Sequence, residues 1–255
     1  MPLLTFTRRS TLAAMALALL AACGNANGDS ASSASGAALN DMVMGDPDAP
    51  VTLIEYASVT CGACYQFHFD VMPTIKERFV DTGQVKYIFR EFPTAPAQVA
   101  VAGFAVARCA GPDKYFDVVD DLFVSQPGII EAARQGVWIQ AIQAVAARHG
   151  IEGEEAFEAC VNDRDIRQTI ADIFLAGQDL GVDATPTLFL QGEKLEPSIR
   201  SRTPDGLSAL IEAELTALGI SVDTAASAPA TPAESAQDDN LDTEEAAAEP
   251  ETVND

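Results

Sequence analysis

The chain is poor in positive charge. It sets 15 Lys and Arg against 38 Asp and Glu, a formal net charge of −23 over 255 residues. Nucleic acid is held by clustered Lys and Arg, so it is excluded as a partner. Histidine is scarcer still: His68 and His149 are the only two. A structural zinc site would need two further ligands beside a Cys-x-x-Cys pair, and no second such pair exists. No stretch reaches the roughly 20 apolar residues that a membrane-spanning helix takes; the run at 12–22 stops at eleven. No segment repeats along the chain, which removes solenoid and propeller architectures. What the chain does have is a hydrophobic content of 48%, enough for a sizeable core, and five cysteines: Cys23, Cys61, Cys64, Cys109 and Cys160. An odd number needs an explanation for one of them.

The N-terminus supplies it. Arg8-Arg9 precedes the apolar run 12–22, which ends in Leu20-Ala21-Ala22-Cys23. A basic start and a short apolar stretch make residues 1–22 read as an export signal. The ending resembles a bacterial lipobox, in which the cysteine is acylated and the peptide is cut before it. A plain signal cut after a small residue is the other reading. Thr7 to Leu12 also resembles a weak twin-arginine signal. Acylation would tie Cys23 to a lipid bilayer and leave four cysteines, an even number. Residues 23–40 are mostly Ala, Ser, Gly and Asn with one charge, Asp29, and read as a flexible tether. Residues 221–255 hold ten acidic residues and no Lys or Arg, and read as a disordered acidic tail.

Between them lies the folded part. Residues 51–56 form a short β-branched run after a Pro-rich turn, and read as a buried strand. A helix is expected over 62–69, kinked or restarted at Pro73 and continued over 74–80. Residues 85–92 alternate and are rich in β-branched and aromatic side chains, a second strand. Strand signals then vanish. Helices are expected at 97–110, 114–124, 134–149, 154–161 and 166–180, punctuated by Gly111-Pro112, Gln126-Pro127-Gly128 and His149-Gly150. Strands return as a hairpin, 187–191 and 193–195 around Gly192. A last helix follows, with Thr203 as N-cap and Pro204 at its first position. The class is α/β: a small sheet at 41–95 and 181–220, split by an all-helical insertion at 96–180.

The chemistry concentrates at Cys61-Gly62-Ala63-Cys64, where a strand meets a helix. Cys61 falls at the N-cap and Cys64 at the third helical position. Unpaired amides and the positive end of the helix dipole favour a thiolate at Cys61, and the thiolate is the nucleophile. Cys64, one turn on, is placed to resolve a mixed disulfide. Copper delivery is a second reading, since His68 follows Cys64 by four residues on the same helical face. Glu55, six residues before Cys61, reads either as a buried carboxylate beneath the thiols or as a surface strand end. Pro186 precedes a strand that reads as internal. A cis Thr185–Pro186 bond would leave the Thr185 backbone free to pair with an extended substrate; a trans proline opening an edge strand is the alternative.

Glu55, the Cys61–Cys64 pair, Tyr65-Gln66-Phe67, the helical insertion and Thr185-Pro186 occur in an order that resembles the DsbA-like branch of the thioredoxin superfamily, over residues 42–218. The resemblance implies a thioredoxin fold with an inserted helical domain. It implies Cys61 as attacking thiol, Cys64 as resolving thiol, Glu55 as buried carboxylate and Pro186 as the cis-proline facing them, with Thr185, Gly62 and Ala63 meeting substrate. No cofactor is implied. The partners would be unfolded or partly folded envelope proteins and a membrane redox partner, with the protein in the periplasm. Oxidation is the expected direction; reductase or isomerase activity and copper delivery are the alternatives. For Cys109 and Cys160, an oxidising compartment makes a structural disulfide the expectation, with two separate buried thiols as the other reading.

The sequence departs from the strongly oxidising members at one point. Gly62-Ala63 stands where they carry Pro-His, so a histidine that stabilises the thiolate is missing. The Cys61 thiol is therefore expected to titrate above theirs. A titration of the reduced protein should place it higher than about 4, the low end for such thiols, and a lower value would contradict this reading of the dipeptide.

Overall fold

The computed structural model describes residues 39–221, all of which belong to one compact unit. The expectations for the export signal 1–22, for Cys23 and its lipid, for most of the tether and for the acidic tail lie outside the described residues.

Among the described residues, five strands form one mixed sheet: β1 (Met42–Met44), β2 (Val51–Ala57), β3 (Val85–Glu91), β4 (Thr187–Leu190) and β5 (Glu193–Lys194). Their order is β1-β3-β2-β4-β5, with β2 and β3 parallel and the other neighbours antiparallel. The chain leaves β2 through α1 (Gly62–Asp70) and α2 (Met72–Ile75), which runs into a π-helical turn at Lys76–Val80. Pro73 sits in the first turn of α2, where its missing N–H breaks no helical bond, so it restarts the helix as expected.

Strand alternation sorts β2 between two cores. Val51, Leu53 and Ala57 face the main core, with Phe67, Ile75 and Phe79 from the first helices and Leu207, Ile211 and Leu215 from the last. Tyr56 faces a smaller cluster with Phe92, Ile173, Val182 and Phe189. Glu55 shares the parity of Leu53 and so points into the main core.

Between β3 and β4 come α3 (Ala97–Cys109), α4 (Tyr115–Arg134), α5 (Trp138–Arg148), α6 (Glu154–Val161) and α7 (Arg164–Asp179). The small residues of α3 let its neighbours approach closely. A Cβ on Gly103 would stand 3.3 Å from the methyls of Leu122 and of Val59, so α3, α4 and the segment before Cys61 meet there with no room to spare. Cys109 is disulfide-bonded to Cys160, joining α3 to α6. The chain closes with α8 (Ile199–Arg202) and α9 (Pro204–Ala217), the latter capped by Thr203, whose hydroxyl accepts from the Gly206 N–H.

Some boundaries differ from expectation. The helix expected at 114–124 runs on to Arg134, straight through Pro127. Leu122, Phe123, Gln126 and Ile129 all lie buried on one face of it, and that continuous burial outweighs the hydrogen bond Pro127 cannot make. The next helix begins at Trp138, four residues late, because Gly136 turns the chain with φ +76°. Gln191 belongs to the hairpin turn and not to the strand: Gln191 and Gly192 both have positive φ, the geometry of a two-residue turn. Strand β1 and helix α8 are short and had no signal of their own.

A buried ion pair fixes the helical block to the sheet. Glu91, at the end of β3, accepts two hydrogen bonds from Arg108 of α3, at 2.6 and 2.8 Å, and one from the Tyr115 hydroxyl of α4 at 2.8 Å. Arg108→Met should therefore cost about 3–5 kcal/mol in chemical denaturation, since it strands a buried carboxylate. The double variant Glu91→Leu with Arg108→Met should lose less than the single one. A double loss equal to or larger than the single would show that the pair itself stabilises the fold.

Candidate active site

Strand β2 ends at Ala57, and four residues later Cys61 stands at the N-cap of α1 with extended backbone, φ −88° and ψ 125°. Cys61 is half-buried and Cys64 fully buried; both are free thiols. Gly62 and Ala63 are exposed, and a Cβ on Gly62 would meet nothing within 4 Å.

The Cys61 Sγ donates to the Thr185 carbonyl at 3.4 Å. The Thr185–Pro186 bond is cis, and both residues are buried at the entry to β4. Antiparallel pairing of β2 with β4, Glu55 opposite Leu188 and Tyr56 opposite Thr187, brings this turn beside the thiols. Arg202 of α8 steadies the turn from behind, donating to the Pro186 carbonyl at 3.2 Å. A cleft of about 260 Å³ opens there, lined by Ala184, Pro186, Lys194 and Arg202 among others. Two roomier clefts, about 450 and 630 Å³, lie among the helices of the insertion and contain none of these residues.

Glu55 is buried, 3% exposed, and accepts a hydrogen bond from the Tyr87 hydroxyl of β3 at 2.5 Å. Of the two readings of Glu55, the geometry is that of the buried carboxylate. Burial pushes its pKa up to about 7; the Tyr87 hydrogen bond pulls the other way, and the Cys61 charge adds to the rise.

The two thiols are driven apart. Cys61 is lowered to about 5, chiefly by the hydrogen bond from the Cys64 thiol, against the opposing effect of burial. The Thr185 side chain and the amides of Cys64 and Ala63 add to the lowering; the amides face the sulfur without closing a capping hydrogen bond. The first turn of α1 carries no acidic residue to oppose a thiolate. Cys64 is pushed far above the ordinary thiol value, first by burial, then by Cys61 and Glu55. One sulfur is thus a thiolate at neutral pH and the other a thiol, with a carboxyl group of intermediate acidity nearby.

The segment between β2 and α1 is tied from two sides. The Ser58 and Thr60 hydroxyls bond each other at 2.9 Å, and both engage Thr94 in the loop after β3. From the other side, the Gln126 amide of α4 donates to the carbonyls of Val59 and Cys61. None of Tyr87, Thr94, Gln126 and Arg202 was marked by the sequence. Tyr87 had the one usable signal, a strand residue of the right parity, but only the β2–β3 register sets it near Glu55.

His68 does not join the thiols. Its ring stacks on Phe123 at 4.5 Å, and its Nε2 lies 3.2 Å from Asp120. Among the described residues, no group of three or more His, Cys, Asp or Glu is arranged to hold a metal ion. No helix there is long and apolar enough to cross a membrane. Cys109 and Cys160 form a disulfide of their own, apart from the free pair.

A mixed sheet that presents a half-buried dithiol at a helix N-terminus, opposite a cis-proline turn, defines a protein of the thioredoxin class. The family model for thioredoxin matches residues 37–213, and the chain belongs to that family. A Rickettsia bellii protein, provisionally named a protein-disulfide oxidoreductase, is 27% identical over 158 residues, 62% of this chain and 59% of its own length. The chain thus spans under two thirds of that relative. A Bacillus cereus protein named "Probable disulfide bond formation protein D" is 25% identical over 68% of this chain and 77% of its own. Among solved structures, α-DsbA1 of Wolbachia pipientis superposes with a TM-score of 0.59 at 29% identity, covering 70% of this chain and 94% of that one. The helical insertion within a thioredoxin fold is shared with these structures.

The raised Glu55 has a consequence for stability. A carboxyl that titrates near 7 in the folded reduced protein and near 4.5 unfolded binds more protons when folded between those values. Folding stability should be highest below about pH 4.5 on this account, fall between pH 4.5 and 7, and level off above. Glu55→Gln should remove that slope and stabilise the reduced protein by up to about 3 kcal/mol at pH 8, with little gain at pH 4. Denaturation of both proteins across this range checks it; an equal difference at both ends would show that Glu55 does not titrate there.

Proposed function

We propose that this protein is a thiol-disulfide oxidoreductase of the cell envelope, which passes its Cys61–Cys64 disulfide to cysteines of unfolded or partly folded proteins, with net oxidation as its direction. The observation that carries the reading is the split between the two sulfurs: an accessible Cys61 held as thiolate, and a buried Cys64 held as thiol.

In the oxidised enzyme, a substrate thiolate attacks Cys61 Sγ, the exposed sulfur. A substrate–Cys61 disulfide forms as the Cys61–Cys64 bond breaks. Cys64 leaves with the electron pair, and its high proton affinity demands a proton, which Glu55, half-protonated near neutral pH, is placed to supply. A second substrate thiolate then attacks the substrate sulfur, and Cys61 departs as thiolate. Its low pKa makes it a good leaving group, which favours substrate oxidation. The enzyme has gained two electrons and the substrate has lost two. Regeneration runs the same steps against a partner disulfide: Cys61 attacks it, Cys64 loses its proton to Glu55 and closes the bond. The resemblance points to a membrane redox protein as that partner. During the mixed disulfide, the extended substrate backbone would pair with Thr185 beside Pro186, with Gly62 and Ala63 giving open access. In this reading residues 41–95 and 181–220 form the thioredoxin-like domain, and 96–180 cover it. The apolar run 12–22 and Cys23 support the reading of an exported enzyme with a lipid anchor.

The decisive measurement is the reduction potential of the Cys61–Cys64 couple, by equilibration with glutathione buffers. It should lie between roughly −270 mV, the thioredoxin value, and roughly −120 mV, that of the strongly oxidising members. Oxidised enzyme should reactivate a reduced, unfolded disulfide protein, Cys61→Ser should abolish this, and Cys64→Ser should accumulate the mixed disulfide. A potential at or below the thioredoxin value would assign a reductase instead.

A further inference from the structure

Gln126 is a polar side chain buried in the middle of α4, 6% exposed, among Leu122, Phe123 and Ile129. Its Nε2 spends both hydrogens on one short segment: the Val59 carbonyl at 2.8 Å and the Cys61 carbonyl at 3.1 Å. The Cys61 carbonyl also accepts the first backbone bond of α1, from Tyr65, at 3.0 Å. The Val59 carbonyl lies beyond the end of β2, and among the described residues no backbone N–H reaches it. Gln126 therefore supplies a donor that the sheet and the helix both fail to supply. It is also, among the described residues, the one side chain of α3–α7 that hydrogen-bonds residues 58–61.

We propose that Gln126 is a positioning residue for the exchange reaction, its amide pinning the Val59–Cys61 segment so that Cys61 Sγ stands between the open end of α1 and the Thr185 carbonyl. Packing alone does not account for the choice of residue. A Met at this position would fill the same space with no polar atom to satisfy, and buried amides are retained where they meet acceptors. Two carbonyls flanking Thr60 are held from one side, while the Ser58 and Thr60 hydroxyls are held by Thr94 from the other. Between them the peptide preceding Cys61 has no freedom to turn. The Cys61 sulfur and the amides of Ala63 and Cys64 then keep their mutual aim, and small losses of aim weaken a charge-stabilising arrangement steeply. The seating of the helical block on the sheet, through α4, thus sets the state of the nucleophile. The inference rests on exchange chemistry at Cys61 and is independent of its direction.

The test uses the full chain, reduced, as wild type, Gln126→Met, Gln126→Leu and Ile129→Val. Ile129 lies on the same buried face of α4 and bonds nothing in the active-site segment, so it reports loosened packing alone. Thiolate absorbance is followed against pH, with thermal unfolding alongside. Gln126→Met should move the Cys61 midpoint up by about one pH unit, a tenfold loss of thiolate over thiol below the midpoint, while Ile129→Val lowers the melting temperature and leaves the midpoint in place. Should the Met variant fail to fold, Gln126→Leu removes the same two hydrogen bonds without bringing a charge near Cys61, and the same upward shift is expected. A wild-type midpoint in whichever Gln126 variant folds, or an equal shift in Ile129→Val, overturns the inference alone. A wild-type Cys61 that titrates near the free-thiol value overturns it together with the exchange reading.

Discussion

The approach of the Cys61 sulfur to the Thr185 carbonyl, 3.4 Å, joins residues 124 positions apart. Nothing local to either segment produces it. It requires that β4 lie antiparallel against β2, with Tyr56 opposite Thr187, so that the strand end feeding α1 and the strand start following Pro186 fall at the same edge of the sheet. It also requires that the five helices between β3 and β4 return the chain to that edge. The Glu91–Arg108–Tyr115 cluster, the Cys109–Cys160 bond and the close packing at Gly103 are the means by which they are held while doing so. The helical block is therefore part of the site's construction as well as a cover over it.

Given that contact, the difference between the two thiols follows from their surroundings. Cys61 and Cys64 have the same intrinsic acidity, and they are one helical turn apart. One is half-exposed and receives hydrogen bonds; the other is enclosed, with Glu55 close enough to oppose its charge. Burial raises both, and only at Cys61 do the hydrogen bonds overcome it. Glu55 completes the set because it is held between extremes. Were it at a surface strand end, it would be ionised throughout the physiological range and have no proton to give. Its position on the core-facing side of β2, with Tyr87 as its hydrogen-bond donor, leaves it near 7.

The parts of this that could be read in the sequence are those whose signals are local. Cys-x-x-Cys at a strand-to-helix junction, the β-branched run before it, the alternation of 85–92, and a proline directly before a strand each carry their meaning within a few residues. The π-helical turn, β1 and α8 lack such signals. Gln126-Pro127-Gly128 misled, because Pro and Gly ordinarily end helices; here the burial of one continuous face carries α4 past them, and the residue read as punctuation is the one that bonds the active-site segment. Tyr87, Arg108 and Glu91 were ordinary strand and helix residues until the register of β2 with β3, and the packing of α3 on the sheet, gave them partners. Long-range pairing is what a single sequence conceals, and the supports of this site are almost all long-range.

That separation bears on how the direction of exchange is set. The groups that lower Cys61 are the Cys64 thiol, the Thr185 side chain and the amides of α1, all fixed by the fold. Gly62 and Ala63 contribute their backbone and no side-chain group, and the space around Gly62 is empty. The scaffold thus establishes a thiolate near neutral pH without help from any side chain of the intervening dipeptide. Whatever stands at 62 and 63 acts on top of that baseline and toward solvent, where an added charge or hydrogen bond is partly screened. With glycine and alanine in place, the baseline itself is what the substrate meets. It is acidic enough for Cys61 to leave readily, and less so than where a histidine adds its charge. In the reaction proposed above, this is what lets the couple donate its disulfide and still be restored by a partner.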